Sequence, residues 1–227
     1  MFEWELVLAQ YPPAHAALRQ LRDGQVALFR AGDLHFGLPH VPAYDDARTM
    51  HRSRFSVIVE INRLIRDPSI TCALFSELDA RDPVLARTYA HQVLPDLVAG
   101  DQIALADRYR GDPLQCVEEC NALARTFPLL PAARQAPRLA AMLMGLLRDV
   151  HIAIAVLRGL DQPETALALR RALLAGLQDP AMRALAQRDL DAPGAISREL
   201  VDHQMALEAM ERPDDAPSGA TPPDQFL

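Results

Sequence analysis

Three histidines and three arginines fall within one short segment, His35-Phe-Gly-Leu-Pro-His40-Val-Pro-Ala-Tyr44-Asp-Asp-Ala-Arg48-Thr-Met-His51-Arg-Ser-Arg54. Imidazoles exchange protons near neutral pH, ligate metals or offer an amphipathic contact. Guanidinium forks hold carboxylates and phosphates in fixed geometry. Aromatic and arginine side chains together have the composition of an interface patch. His35, Phe36, His40, Tyr44, Arg48 and His51 are therefore the expected contacts for a protein or peptide partner. Metal or acid–base chemistry is the competing use of the same residues, and an ordinary surface loop is the third reading.

A second group sits in the long apolar stretch around 136–159. Arg148, His151 and Arg158 occur at i, i+3 and i+10 and so share one face of a helix. Two guanidinium groups and an imidazole there form a possible anion-binding set. The plainer alternative is a solvated edge, with Arg148 paired to a neighbouring acid. Glu199 and His203 have a spacing at which a helix could share a metal. No Glu-x-x-His or His-x-x-x-His repeats it, and Cys72, Cys116 and Cys120 lack partners at zinc-site spacing. No metal and no cofactor is expected. Nor is there a glycine-rich phosphate loop, a Gly-x-Ser-x-Gly elbow or a Cys-x-x-Cys pair.

The elements that must carry these residues are mostly helices. Asp-Pro at 67–68, 82–83, 112–113 and 179–180 supplies an N-cap followed by the residue best suited to the first helical position. Helices are expected at about 14–22, 45–66, 69–79, 83–98, 102–110, 113–126, 136–159, 163–177, 180–189 and 195–211. In the 136–159 helix Leu143 and Leu146 lie on the apolar face and should be fully buried. Arg148, Asp149 and His151 interrupt that stretch, which reads as a core helix and not a membrane span. Near the N-terminus, 25–30 and 34–38 read as two short strands about a tight turn, with Gly24 closing the helix before them. The fold class is thus mainly α, an irregular multi-helix bundle or short solenoid with a small N-terminal β-hairpin appendage. Residues 1–44 form the appendage, 45–211 the helical domain, and 212–227 a proline- and aspartate-rich flexible tail.

The 227 residues are 50% apolar and 23% charged, with a net charge of -7. Such a chain buries a sizeable core. A nucleic-acid partner is not expected, because counterion release needs a concentrated positive face. All 23 basic residues are arginine and none is lysine. That fits GC-rich bacterial coding, or alternatively selection against a reactive amine. The N-terminus Met-Phe-Glu-Trp-Glu lacks the basic and apolar regions of a signal peptide. A cytoplasmic location is expected, with no membrane contact. The expected role is non-catalytic partner binding, as an adaptor, an immunity-type inhibitor or the recognition subunit of an enzyme complex. The alternative is an all-helical enzyme or small-ligand binder with an Arg/His-lined pocket.

Overall fold

In the computed structural model the described residues are 8, 10–36 and 52–211. They form a mainly α protein with ten helices and one two-stranded antiparallel sheet among them. The helices are α1 (Pro13–Arg30), α2 (Arg54–Leu64), α3 (Pro68–Arg81), α4 (Pro83–Ala99), α5 (Ile103–Tyr109), α6 (Val117–Ala124), α7 (Arg138–Gly159), α8 (Pro163–Gly176), α9 (Pro180–Asp191) and α10 (Ala195–Glu211). The strands are β1 (His35–Phe36) and β2 (Arg52–Ser53), with His35 opposite Ser53 and Phe36 opposite Arg52.

The helix starts follow from cap chemistry. Asp82 Oδ1 accepts the Leu85 amide at 2.9 Å, and Asp179 Oδ1 accepts that of Met182 at 2.7 Å. Asp67 precedes Pro68 in the same way, yet its carboxylate makes no cap bond. It accepts from Arg22 at 2.8 Å and from the Ser69 hydroxyl at 2.6 Å instead. At Asp112-Pro113 the chain turns first, and α6 begins only at Val117.

The strand expected at 25–30 is instead the last third of α1. Ala14, Leu18, Arg22, Val26 and Phe29 are its buried residues, spaced as one helical face, and this burial outweighs the local alternation of Val26 and Leu28. Gly24 lies inside the helix. The stop comes at Gly32, whose φ of +94° suits glycine. There the Asp33 amide reaches back to the Leu28 carbonyl at 3.1 Å and the Gly32 amide to that of Phe29 at 3.0 Å. Strand β1 therefore pairs with β2, far along the chain. The helix expected from residue 45 begins at Arg54, because Ser53 caps it through the Ser56 amide.

The chain divides into two compact units. The first comprises residues 1–112 and 152–167, the second 113–151 and 168–227. An aromatic cluster fills the core of the first. Phe55 stacks on Tyr89 with ring centroids 4.8 Å apart, Phe29 lies 5.4 Å from Phe55, and Phe75 meets Tyr109 edge-on at 5.2 Å. Beside it runs a buried polar chain. Arg22 donates to Asn62 Oδ1 at 3.3 Å, and the Asn62 amide donates to Thr71 at 2.9 Å. Asn62 and Thr71 are fully buried and partner each other, while the nearly buried Arg22 also donates to Asp23 and Asp67 at its outer end.

In the second unit the first half of α7 supplies Leu139, Leu143, Leu146, Leu147 and Val150, all buried. Leu143 is 0% exposed and Leu146 2%, as the apolar face predicts. By length and composition α7 could cross a bilayer, but half of its most apolar stretch is buried within the protein, the placement of a core helix. Asn121 ties the α8–α9 connection: its amide donates to the Gly176 carbonyl and its oxygen accepts the Gln178 amide, both at 2.9 Å.

One helix end carries avoidable strain. Arg66, exposed after α2, adopts φ of 56°, the left-handed region disfavoured for a side chain with a Cβ. Arg66→Gly is expected to raise the unfolding free energy by about 0.5 kcal/mol, the relieved strain less the entropy glycine adds to the unfolded chain. Urea denaturation decides it, since a lower midpoint would contradict this account.

Candidate interaction surface

The surface is built from the buried Arg54 outward. This residue opens α2, and its amide donates to the Leu34 carbonyl at 2.9 Å. Its guanidinium donates to the Asp33 carbonyl at 2.9 Å, to Asp33 Oδ2 and the His35 carbonyl at 2.6 Å each, and to Gln25 Oε1. One planar fork thus fixes α1, β1 and the start of α2 together, which the single ammonium of a lysine could not do. The Arg54 hydrogen bond holds the Asp33 carboxyl below the usual carboxylate range.

Pinned on this base, His35 and Phe36 are both exposed. Beside the ribbon runs a groove of about 350 Å³, lined chiefly by Arg52, Ser53, Ser56, Glu60, Arg63 and His91. Arg52 donates to Glu60 at 2.9 Å, with both side chains about half exposed or more. Arg63 donates to the buried Asp96 at 3.1 Å and to the Gln92 carbonyl. Burial pushes the Asp96 carboxyl up, against the pull of Arg63. The groove is open, and polar donors and apolar surface share its lining. A second groove of about 310 Å³ has an apolar floor of Phe29, Leu74 and Leu78, and a rim of Arg30, Glu77 and Arg81.

Of the residues expected at the partner surface, His35 and Phe36 lie on the ribbon, continuous with Arg52 and Ser53. His40, Tyr44, Arg48 and His51 lie outside the described residues. Arg63, His91 and Glu60 were not anticipated. They come from α2 and α4, and no linear pattern joins them to the ribbon.

Of the expected anion-binding set, Arg148 and His151 lie in the second unit, and each meets a carboxylate. Arg148 donates to the adjacent Asp149 at 3.2 Å, and His151 Nε2 lies 3.2 Å from Asp189 Oδ2. Asp189 also accepts the Ile196 amide at 3.2 Å, so that pair anchors the start of α10. Arg158 is exposed and belongs to the other unit. Glu199 and His203 are likewise engaged separately, Glu199 with Arg188 at 3.1 Å and His203 Nε2 with the Pro131 carbonyl at 2.8 Å. Among the described residues no three His, Cys, Asp or Glu side chains gather as a metal would require. Burial, reinforced by Cys116 and Glu119, pushes the Cys120 thiol up to about 11, which keeps it unreactive at neutral pH.

No known protein family matches the chain, and no curated protein or solved structure is detectably similar to it.

Proposed function

We propose that this is a non-catalytic partner-binding protein that takes an acidic segment of another protein along the ribbon and groove of its first unit. The observation that carries this reading is the pairing of an exposed, rigidly pinned His35–Phe36 edge with a donor-lined groove beside it. A buried aromatic and an arginine are the usual anchors of an interface. Phe36 is 38% exposed and would gain apolar burial on contact. The Arg52–Glu60 pair is solvent-facing and so worth only about 0–1 kcal/mol. A partner carboxylate takes over Arg52 at little cost. Against a body of net charge -7, this local concentration of arginine and histidine also orients an acidic chain towards it. Adaptor, immunity-type inhibitor and recognition subunit are the roles such a surface serves.

A labelled decapeptide alternating glutamate and leucine tests the reading, with its lysine–leucine counterpart as control. The acidic peptide alone should bind, and more weakly as added salt shortens the screening length. Combining Phe36→Ala, Arg52→Ala and His91→Ala should weaken it by about tenfold or more, with an unchanged melt. Equal binding of both peptides, or indifference to the triple change, would remove the basis for this assignment.

A further inference from the structure

Behind the polar groove lies a buried acid. Asp96 is on α4, and its side chain is 10% exposed, whereas that of Arg63 is 46% exposed. A carboxylate taken out of water is costly unless a cation compensates it. Arg63 does so from α2, through Nη2 at 3.1 Å from Asp96 Oδ2. The same Nη2 donates to the Gln92 carbonyl, so both of its hydrogens are engaged. Nε and Nη1 make no hydrogen bond among the described residues, and the Arg63 side chain lines the groove. One guanidinium thus commits one nitrogen to the interior and keeps two for an incoming acceptor.

The other groups around Asp96 do not replace that cation. Glu60, one turn before Arg63 on α2, carries the same charge as Asp96 and pairs with Arg52 of β2. From α3, the Cys72 thiol donates to the Asp96 backbone carbonyl at 3.2 Å and not to the carboxylate. On α4 itself His91 lines the groove, and it forms no ion pair with Asp96. The turn into α5 carries the exposed Asp101, another acid. Burial pushes the Asp96 carboxyl up, and Arg63 alone pulls it back.

A partner carboxylate on the free donors of Arg63 upsets this balance twice over. It brings a second negative charge to the guanidinium, and it shares the cation on which Asp96 depends. Both effects favour the neutral form of Asp96. By linkage, a site that takes up a proton on binding binds more tightly as the pH falls. We infer that Asp96 is a proton-linked control on the groove: an acidic partner that engages Arg63 draws a proton from solvent onto Asp96, so binding strengthens on mild acidification. The inference rests on the acidic-partner reading and specifies how that site is regulated.

The glutamate–leucine decapeptide and the full chain test it in two ways. The side-chain carboxyl carbon of Asp96 is followed by NMR from about pH 8 to about pH 4, free and saturated with peptide, which reads the proton without any substitution. Its midpoint should lie at higher pH in the complex. Asp96→Asn keeps an acceptor for Arg63 and removes the charge. At about pH 8 this variant should bind the peptide about threefold or more tighter than wild type, and the advantage should shrink as the pH falls. His35 and His91 titrate in both proteins alike, so they cancel in that ratio. A peptide that binds at no pH removes the acidic-partner reading and this inference together. Binding with an unmoved Asp96 midpoint overturns this inference alone. So does an Asp96→Asn variant with a native melt that binds no tighter at about pH 8, since Asp96 would then only position Arg63.

Discussion

Leu143→Ala is expected to lower the stability of the second unit by about 3–5 kcal/mol, the upper part of the range for a buried leucine. The side chain is 0% exposed and lies in the first half of α7, whose neighbours Leu139, Leu146 and Leu147 are at most 2% exposed. Truncation removes the transfer free energy of the lost methyl groups, and it leaves a cavity that rigid, interlocked helices cannot fill. Total stabilities of natural domains are only about 5–15 kcal/mol, so the loss is a large fraction of what holds the unit together. Two controls separate packing from helix propensity. Leu143→Met nearly conserves volume and should cost less than about 1.5 kcal/mol. Leu167→Ala, at a position 49% exposed, should stay within about 0.5 kcal/mol of wild type. Urea unfolding followed by circular dichroism measures all three. Similar costs for Leu143→Ala and Leu167→Ala would show that the first half of α7 is not the packed centre of the second unit.

That α7 is a core helix was legible because its signal is local and long. Leu139, Leu143, Leu146 and Val150 repeat at helical spacing, and all are buried. The starts of α4 and α9 were legible for the same reason, since an aspartate before a proline needs only the next three residues to complete its cap. Where the sequence misled, a distant partner decided the outcome. Residues 25–30 alternate like a strand and follow a glycine, but burying Val26 and Phe29 in the first unit's core keeps them helical. Asp67 has the sequence of a cap, and Arg22 claims its carboxylate from 45 residues away.

The candidate site divides along the same line. His35 and Phe36 were identifiable by composition, because aromatic, histidine and arginine residues cluster there within a few positions. The groove beside them was not. His91 and Arg63 reach it only because Phe55 of α2 stacks on Tyr89 of α4, which brings those helices together. Arg148 and His151 show the converse. Their spacing suggested a joint site, whereas each is already matched to a carboxylate, Asp149 and Asp189. One helical face can hold the residue types for anion binding and still spend them on its own fold.

Arg54 is where fold and surface meet, and its removal should detach the ribbon. Arg54→Ala deletes the donors that hold the Asp33 and His35 carbonyls, the Asp33 carboxylate and Gln25. Hydrogen bonds from a charged donor contribute about 1.5–3 kcal/mol singly and less than their sum together, so a loss of about 3 kcal/mol is expected. Arg54→Lys keeps the charge but cannot reach several acceptors in different directions at once, and about 2 kcal/mol should still be lost. The pin also responds to pH. Because Asp33 is held below its unfolded value by Arg54, its contribution is complete above the unfolded carboxylate range, near about pH 4. It is lost as the pH falls through the lower folded value. Hydrogen exchange over 31–36 and 52–56 reads all of this directly. Both variants should exchange faster there at neutral pH, with Arg54→Ala the faster, and after correction for intrinsic exchange rates the wild type should lose protection in the same peptides on acidification. The acidic-peptide affinity of Arg54→Ala should fall too, although Arg54 is not among the groove-lining residues, because Phe36 and Arg52 would no longer be held side by side. Unchanged protection in Arg54→Lys would show that charge alone fixes the ribbon and that the geometry of the guanidinium fork is not required.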